Sequence, residues 1–400
     1  MENAVIVATA RSPIGRAYKG ALKDVRPDDL AATIIKALMA KVPQVDPALV
    51  EDVILGCAQP AGEQGYNLAR MVSLLADLPQ AGGVTVNRYC SSSLQAIRMA
   101  DHAIRAGEGD IFVAAGVECV SRFVNGKADG MENTKNPLFP QERSTLYATE
   151  GTPAWTPAEG LPDAYMGMGL TAENVASFKQ VSREDQDAFA ARSQARAVAA
   201  QKSGFFADEI TPITLPDGSV FSNDEGPRDG TTVEKLAGLK PVFRADGSVT
   251  AGNACPLNDG AAAVLVMSES KAKELGVKPL ARIVASAVSA LDPEIMGLGP
   301  VEASRRALKR AGLTIDDIDL VEMNEAFAAQ AVPSARELGI SDDKLNVHGG
   351  AIALGHPFGM TGARIMTTLI HGLQVRGGRY GLETMCIGGG QGMAMVIELL

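Results

Sequence analysis

Four short segments carry side chains able to do covalent chemistry. VNRYCSSSLQAI (Val86 to Ile97) holds Cys90, VEMNEAF holds Asn324, NVHGGAIALGHPFGMTGAR holds His356, and CIGGGQG holds Cys386 ahead of a glycine nest. A thiol is a good nucleophile, an imidazole can accept its proton, and a second thiol can pass a proton to or from carbon. The surroundings of Cys90 suit such a role. GVTVN (Gly83 to Asn87) has the β-branched character of a short strand, and the run after Cys90 spaces Leu94, Ile97 and Ile104 along one helical face. Ser92 with Gln95 has the form of a capping box, which puts the helix start within a residue or two of Cys90. Amides at a helix start carry roughly half a positive charge and favour a thiolate. Each residue also has an inert alternative. A lone cysteine is more often a core residue, Asn324 could cap the helix that follows, and His356 could be a hydrogen-bonded structural histidine. Cys386 could be core, with Gly388 to Gly390 turning a hairpin.

The elements that must position these residues repeat. The first part of the chain reads as strand AVIVATA, helix DDLAATIIKALMAKV, strand VEDVILGCA, helix NLARMVSLLADL, strand GVTVNRYC, helix SSLQAIRMADHAIRAGE and strand DIFVAAGVE, with a later strand-like run GAAAVLVMS at Gly260 to Ser268. The last part gives strand ARIVASAVSA, helix EASRRALKRAGL, strand IDLVEMNEA, helix AAQAVPSARELG, strand LNVHGG, helix GARIMTTLIHGLQVRG, and strands YGLETMCIGG and GMAMVIELL. Two copies of one α/β unit would pack together and place corresponding loops in a shared crevice. Between them, about Ser121 to Thr250, lies a stretch rich in Pro, Gly and charge that holds the only tryptophan, Trp155. It is too long for a simple connection, so it is expected to be an inserted cap with its own helix near SREDQDAFAARSQARAVAAQ.

Length and composition narrow the class. Four hundred residues exceed what one core supports, so two or three units are expected. A net charge of −10 argues against nucleic acid or an anionic membrane as partner. The N-terminus MENAVIVATARSP lacks a basic region followed by an apolar core, and no apolar run approaches the ~18 residues of a membrane span. The expectation is a soluble cytoplasmic protein. Five scattered cysteines without a C-x-x-C pair disfavour both a disulfide framework and a metal site.

Taken together, VNRYCSSSLQAI, NEAFAAQ, GGAIALGHP and CIGGGQG resemble the four signature segments of the thiolase family, the acetyl-CoA acyltransferases and acetyltransferases. The likeness spans essentially the whole chain and is strongest to the bacterial degradative members. It implies an α/β fold of two duplicated βαβαβαββ halves in a layered α-β-α-β-α core, with residues 1–120 and 251–275 in the first half, an inserted loop domain over 121–250, and 276–400 in the second half. The resemblance makes Cys90 the acylated nucleophile, His356 its base and Cys386 the second acid/base. One oxyanion site would be His356 with a water held by Asn324, the other the amides of Cys90 and Gly388. Coenzyme A is the implied co-substrate, with no permanent cofactor and no metal. The resemblance brings it along Arg228, Ala251 and Cys255, with Phe243 and Phe327 beside the channel and Met168 and Met296 near the acyl end. A homodimer or homotetramer is implied.

Three positions depart from common family patterns. Cys255 stands where many members have Ser, His348 where many have Asn, and Gly167 where the short-chain biosynthetic members have His. The last would widen the acyl pocket. The expected function is thiolytic cleavage of 3-ketoacyl-CoA by a ping-pong acyl-enzyme route, as in fatty-acid β-oxidation. Acetoacetyl-CoA synthesis is the alternative within the family. A decarboxylating condensing enzyme, which would use Cys-His-His or Cys-His-Asn, and a non-catalytic lipid-binding relative are disfavoured by the presence of Cys90, His356 and Cys386 together.

Overall fold

Strand Ala4–Arg11 shows why the sequence reads as a continuous apolar run rather than an alternating one. Its side chains point to two different cores: Ile6 belongs to one apolar cluster, Val5 and Val7 to another. Strand Ile111–Cys119 repeats this, with Phe112 and Ala114 on one side and Ile111, Val113 and Val117 on the other. Such strands are covered on both faces. The computed structural model describes residues 2–400.

Each half builds a sheet in the same order. In the first half the neighbours run Gly82–Val86, Asp52–Gly56, Ile111–Cys119, Asn258–Ser268, Ala4–Arg11. In the second they run Leu320–Met323, Tyr380–Ile387, Gln391–Leu399, Ala281–Ala290. The two sheets join through a short antiparallel contact at Val5 with Arg282 and Ile6 with Ala281. Helices Ser92–Ala106 and Thr361–Arg376 pack on one another between the sheets, where their apolar residues share a single cluster. Helices Pro27–Ala40 and Leu68–Leu75 cover the outside of one sheet, and Gly299–Ala311 with Ala328–Leu338 the outside of the other. The result is the layered α-β-α-β-α architecture. No helix among the described residues is long and apolar enough to cross a membrane.

One predicted strand is absent as such. LNVHGG contributes only an isolated bridge from Leu345 to Val321. Asn346 has φ +44, in the left-handed region that interrupts a strand. Its side-chain amide takes over the pairing: Oδ1 accepts the backbone N–H of Met323 at 2.8 Å and Nδ2 donates to the Met323 carbonyl at 2.9 Å. A side chain thus replaces a strand's backbone at this edge.

The segment between Cys119 and Asn258 carries helices Met168–Phe178 and Arg183–Lys202. Ser182 caps the second by accepting the N–H of Asp185 at 3.0 Å. Buried Glu294 of the second half anchors this segment, accepting from Trp155 Nε1 at 2.8 Å and from Arg143 Nε at 2.6 Å. The segment is therefore fastened across the crevice between the halves.

Candidate active site

Cys90 sits between strand Gly82–Val86 and helix Ser92–Ala106 in a sharp turn, and the preceding Tyr89 has φ +45. A non-glycine residue in that region costs free energy, on the order of 1 kcal/mol, and here it aims the next side chain off the chain path. The expected capping box does not form, because Ser92 lies inside the helix rather than at its cap. Its hydroxyl instead accepts the N–H of Arg88 at 2.9 Å and donates to the Tyr89 carbonyl at 2.7 Å, which pins the turn. Gln95 is diverted to Arg88 Nε at 3.0 Å.

The helix start does not make Cys90 a resting thiolate. Burial pushes its thiol up to about 12, only partly offset by the backbone N–H of Gly388 and its own N–H. Desolvation of the charge exceeds what the donors return. A neutral thiol needs a base before it can act as a nucleophile.

His356 is buried in the turn that leads into helix Thr361–Arg376. Gly355 makes that turn possible, with φ +112 and a hypothetical Cβ that would fall 2.6 Å from the Asn258 amide. Asn258 Oδ1 in turn accepts the His356 N–H at 3.1 Å. The tautomer follows from hydrogen-bond counting. The Thr361 hydroxyl donates its one proton to the Pro357 carbonyl at 2.8 Å, so at 2.6 Å it can only accept from His356 Nδ1. Nδ1 therefore carries the proton, and Nε2 presents a lone pair toward Asn324 Nδ2 at 3.3 Å. Burial, with a smaller contribution from Arg364, pushes the imidazole down to about 3. His356 is neutral, with its basic nitrogen against the Asn324 amide.

Asn324 follows strand Leu320–Met323 and is fixed by its N–H to the Thr384 carbonyl at 3.0 Å. Its Oδ1 is buried and has no hydrogen-bond partner among the described residues, leaving an acceptor beside the imidazole. Cys386 lies near the end of strand Tyr380–Ile387, fully buried, and the following Gly389 and Gly390 have φ +78 and +79. Burial and the neighbouring sulfurs of Cys90 and Cys255 raise its thiol well above the ordinary value. Cys255 is likewise raised, to about 12, by burial and by Cys90. The structure thus groups three thiols rather than two.

A cavity of about 530 Å³ opens onto Cys90. Gly388, Gly389, Tyr89, Ala58 and Gln59 line its floor side together with Phe358, whose ring stands edge-on to His356 with centroids 5.1 Å apart. The inserted segment supplies Asp129, Thr134, Lys135, Tyr165, Met166, Gly167 and Met168. A side chain at Gly167 would meet nothing within 4 Å. Met296 is placed elsewhere, buried in an apolar cluster with Cys386, Ala172 and Phe327. Arg228 and Ala251 line a separate small cleft with Thr231 and Pro256. Phe243 and Phe327 meet edge to face at 6.2 Å, and Phe327 bridges Ala254, next to Cys255. His348 stacks on Phe205 at 3.6 Å, and burial pushes it down to about 4.

Sequence reasoning did not single out Thr361, Asn258 or Glu118. A threonine at a helix start reads as an ordinary cap. Nothing in the one-dimensional pattern says that it faces an imidazole.

Two similar halves that meet at thiols, an imidazole and a glycine nest mark the chain as an acyltransferase. The thiolase N-terminal domain matches residues 4–270 and the thiolase C-terminal domain residues 277–399; the chain belongs to the thiolase family. It is 50% identical to the 3-oxoadipyl-CoA/3-oxo-5,6-dehydrosuberyl-CoA thiolase of Escherichia coli K12, with 100% of both chains covered. The Beta-ketoadipyl-CoA thiolase of Acinetobacter baylyi and the 3-ketoacyl-CoA thiolase of Bacillus subtilis are 47% and 46% identical, again over 100% of each chain. Among solved structures, the Bacillus anthracis acetyl-CoA acetyltransferase superposes with a TM-score of 0.86 at 42% identity, covering 100% of this chain and 99% of that one.

Proposed function

We propose that the protein is a cytoplasmic 3-ketoacyl-CoA thiolase that cleaves its substrate with coenzyme A through an acyl-enzyme on Cys90. The observation that carries this reading is a neutral Cys90 thiol at the wall of a cavity whose lining Phe358 stands edge-on to a neutral His356, an imidazole with its Nε2 lone pair facing the Asn324 amide. Cys90 Sγ attacks the keto carbon and its proton moves to His356, so neither charge is buried alone. The N–H groups of Cys90 and Gly388 receive the developing oxyanion. The bond between the keto carbon and the α-carbon breaks, and the Cys386 thiol gives a proton to the acetyl-CoA enolate carbon. His356, now protonated, and a water on Asn324 stabilise the enolate oxygen meanwhile. The proton lost by Cys90 makes good the one lost by Cys386. Coenzyme A then attacks the thioester on Cys90; its thiol proton passes to His356 and on to the Cys90 sulfur as the carbon–sulfur bond to Cys90 breaks, releasing the shortened acyl-CoA and restoring the thiol. Each oxyanion donor is worth about 3 kcal/mol, or roughly two orders of magnitude in rate.

Arg228 and Ala251 at the cleft border would meet the nucleotide end, with Cys255, Phe243 and Phe327 along the approach to Cys90. Gly167 and Met168 at the cavity favour acyl chains longer than acetoacetyl. The free edge of strand Gly82–Val86, with Tyr66 91% exposed and Leu74 and Leu75 also exposed on neighbouring segments, supports assembly as a homodimer or a homotetramer built from it.

One observation favours a second reading of the acyl tail. Lys135 is the single cation lining the cavity, with no carboxylate partner among the described residues; it donates to Gln141 at 3.0 Å and lies over the Tyr165 ring. Such a cation would suit a chain ending in a carboxylate, the kind of substrate for which the Escherichia coli and Acinetobacter relatives are named. Measuring kcat/KM across 3-ketoacyl-CoA esters of rising length, with and without a terminal carboxylate, tests both readings. Efficiency highest for acetoacetyl-CoA and falling with every added carbon would contradict the open pocket.

A further inference from the structure

Glu118, near the end of strand Ile111–Cys119, is fully buried, and no step above uses it. One of its oxygens, Oε2, accepts the backbone N–H of Ala58 at 2.8 Å and of Gly359 at 3.0 Å. The other, Oε1, accepts Gln64 Nε2 at 2.7 Å and the Gln59 N–H at 3.3 Å, with the Cys57 thiol at 3.8 Å. Four N–H groups point at the carboxylate and favour its ionised form, while burial opposes them and pushes the group up to about 7.

These donors come from both sides of the site. Ala58 and Gln59 line the cavity beside Cys90. Gly359 belongs to the His356 turn of the other half, next to Phe358, which lines the same cavity and touches the imidazole edge-on. At Gly359 the turn packs so tightly on the first half that a Cβ would fall 2.3 Å from the Val117 carbonyl oxygen. The first half thus grips the base-bearing turn by backbone contact and by one charged hydrogen bond.

We propose that Glu118 is a positioning residue that holds the His356 turn against the Cys90 pocket. This rests on the reading of Cys90 as nucleophile and His356 as base. The proposal has a built-in sign test, because a negative charge near Cys90 opposes thiolate formation, while a correctly placed base promotes it. If Glu118 acted by charge alone, neutralising it would make Cys90 more reactive. If it acts by holding the turn, neutralising it makes Cys90 less reactive.

Glu118→Gln is the variant to make, since its amide must turn an NH₂ against one of the two pairs of N–H donors. Two rates are read on the full-length protein: thiolysis of 3-ketohexanoyl-CoA, and alkylation of Cys90 by iodoacetamide followed by intact mass. The expected result is a fall of about tenfold or more in kcat and in alkylation, with KM for coenzyme A within about twofold, as for a lost charge-assisted hydrogen bond. Faster alkylation with unchanged kcat would overturn the proposal, as would a lowered melting temperature with both rates unchanged. Gln64→Met, which removes one donor and keeps the carboxylate, should lower both rates by a smaller factor; unchanged rates in that variant also count against it, so the test survives if Glu118→Gln does not fold. Slower alkylation in Glu118→Gln, alongside a wild type that cleaves no 3-ketoacyl-CoA, would sustain the positioning role and reject the proposed function.

Discussion

Replacing Thr361 by Val tests the tautomer argument with little change in shape. Thr361 Oγ accepts the Nδ1 proton of His356 at 2.6 Å and donates to the Pro357 carbonyl, and the residue is fully buried. In the resting protein the lost bonds leave a buried N–H and a carbonyl unpartnered, a stability cost of about 1–3 kcal/mol. Catalysis should suffer more specifically. When Nε2 takes the Cys90 proton the ring becomes cationic, and the bond at Nδ1 becomes charge-assisted. Losing it at that moment costs about 2–3 kcal/mol, which corresponds to a drop of roughly 30- to 150-fold in kcat. Thr361→Ser keeps the hydroxyl and should stay within about threefold of wild type. The assay is steady-state thiolysis of acetoacetyl-CoA and 3-ketohexanoyl-CoA, with a thermal melt to confirm folding. A folded Thr361→Val enzyme within threefold of wild type would refute the assignment of the proton to Nδ1.

The other expectations follow from the same geometry. Cys386→Ala should still acquire an acyl group on Cys90 from a simple acyl-CoA but lose exchange of the acetyl-CoA α-hydrogen; exchange at the wild-type rate would remove Cys386 from the proton path. Gly167→His fills open space at the cavity and should reverse a preference for longer chains, read as kcat/KM for four-carbon against eight-carbon substrates, since each buried methylene is worth about 0.8 kcal/mol. Because burial holds the Cys90 thiol up at about 12, its alkylation rate should keep rising with pH through the alkaline range; a plateau near neutrality would mean a preformed thiolate. Lys135→Met should lower efficiency only for substrates with a terminal carboxylate, and an equal effect on uncharged chains would reject that reading.

The duplication was legible in the order of strands and helices, because strands buried on both faces read as apolar runs and their helices carry a clear apolar stripe. The four signature segments were legible because each lies at a junction between elements, where punctuation residues cluster: three run into a helix, and CIGGGQG turns the hairpin between strands Tyr380–Ile387 and Gln391–Leu399. What escaped was decided by side chains acting across sequence distance. LNVHGG has strand-like residues, yet Asn346 turns left-handed and pairs through its own amide. Ser92 and Gln95 have capping-box spacing, but Arg88 competes for both. The charge state of Cys90 is not legible for a related reason: the helix start is visible in the sequence, whereas the depth of burial that outweighs it is not. Met296 reads as an acyl-pocket residue by likeness, while the fold packs it against the cluster around Cys386. No local pattern pairs Thr361 with an imidazole five residues earlier or Glu118 with a glycine in the other half.

Trapping the acyl-enzyme tests the central claim most directly. The protein is mixed with an acyl-CoA, quenched in acid, and its intact mass and peptides are measured. The account predicts one acyl group per chain, on Cys90, removed by added coenzyme A and absent from a folded Cys90→Ser variant. An acyl group on Cys255 or Cys386 instead, or a Cys90→Ser variant that still cleaves 3-ketoacyl-CoA, would contradict it.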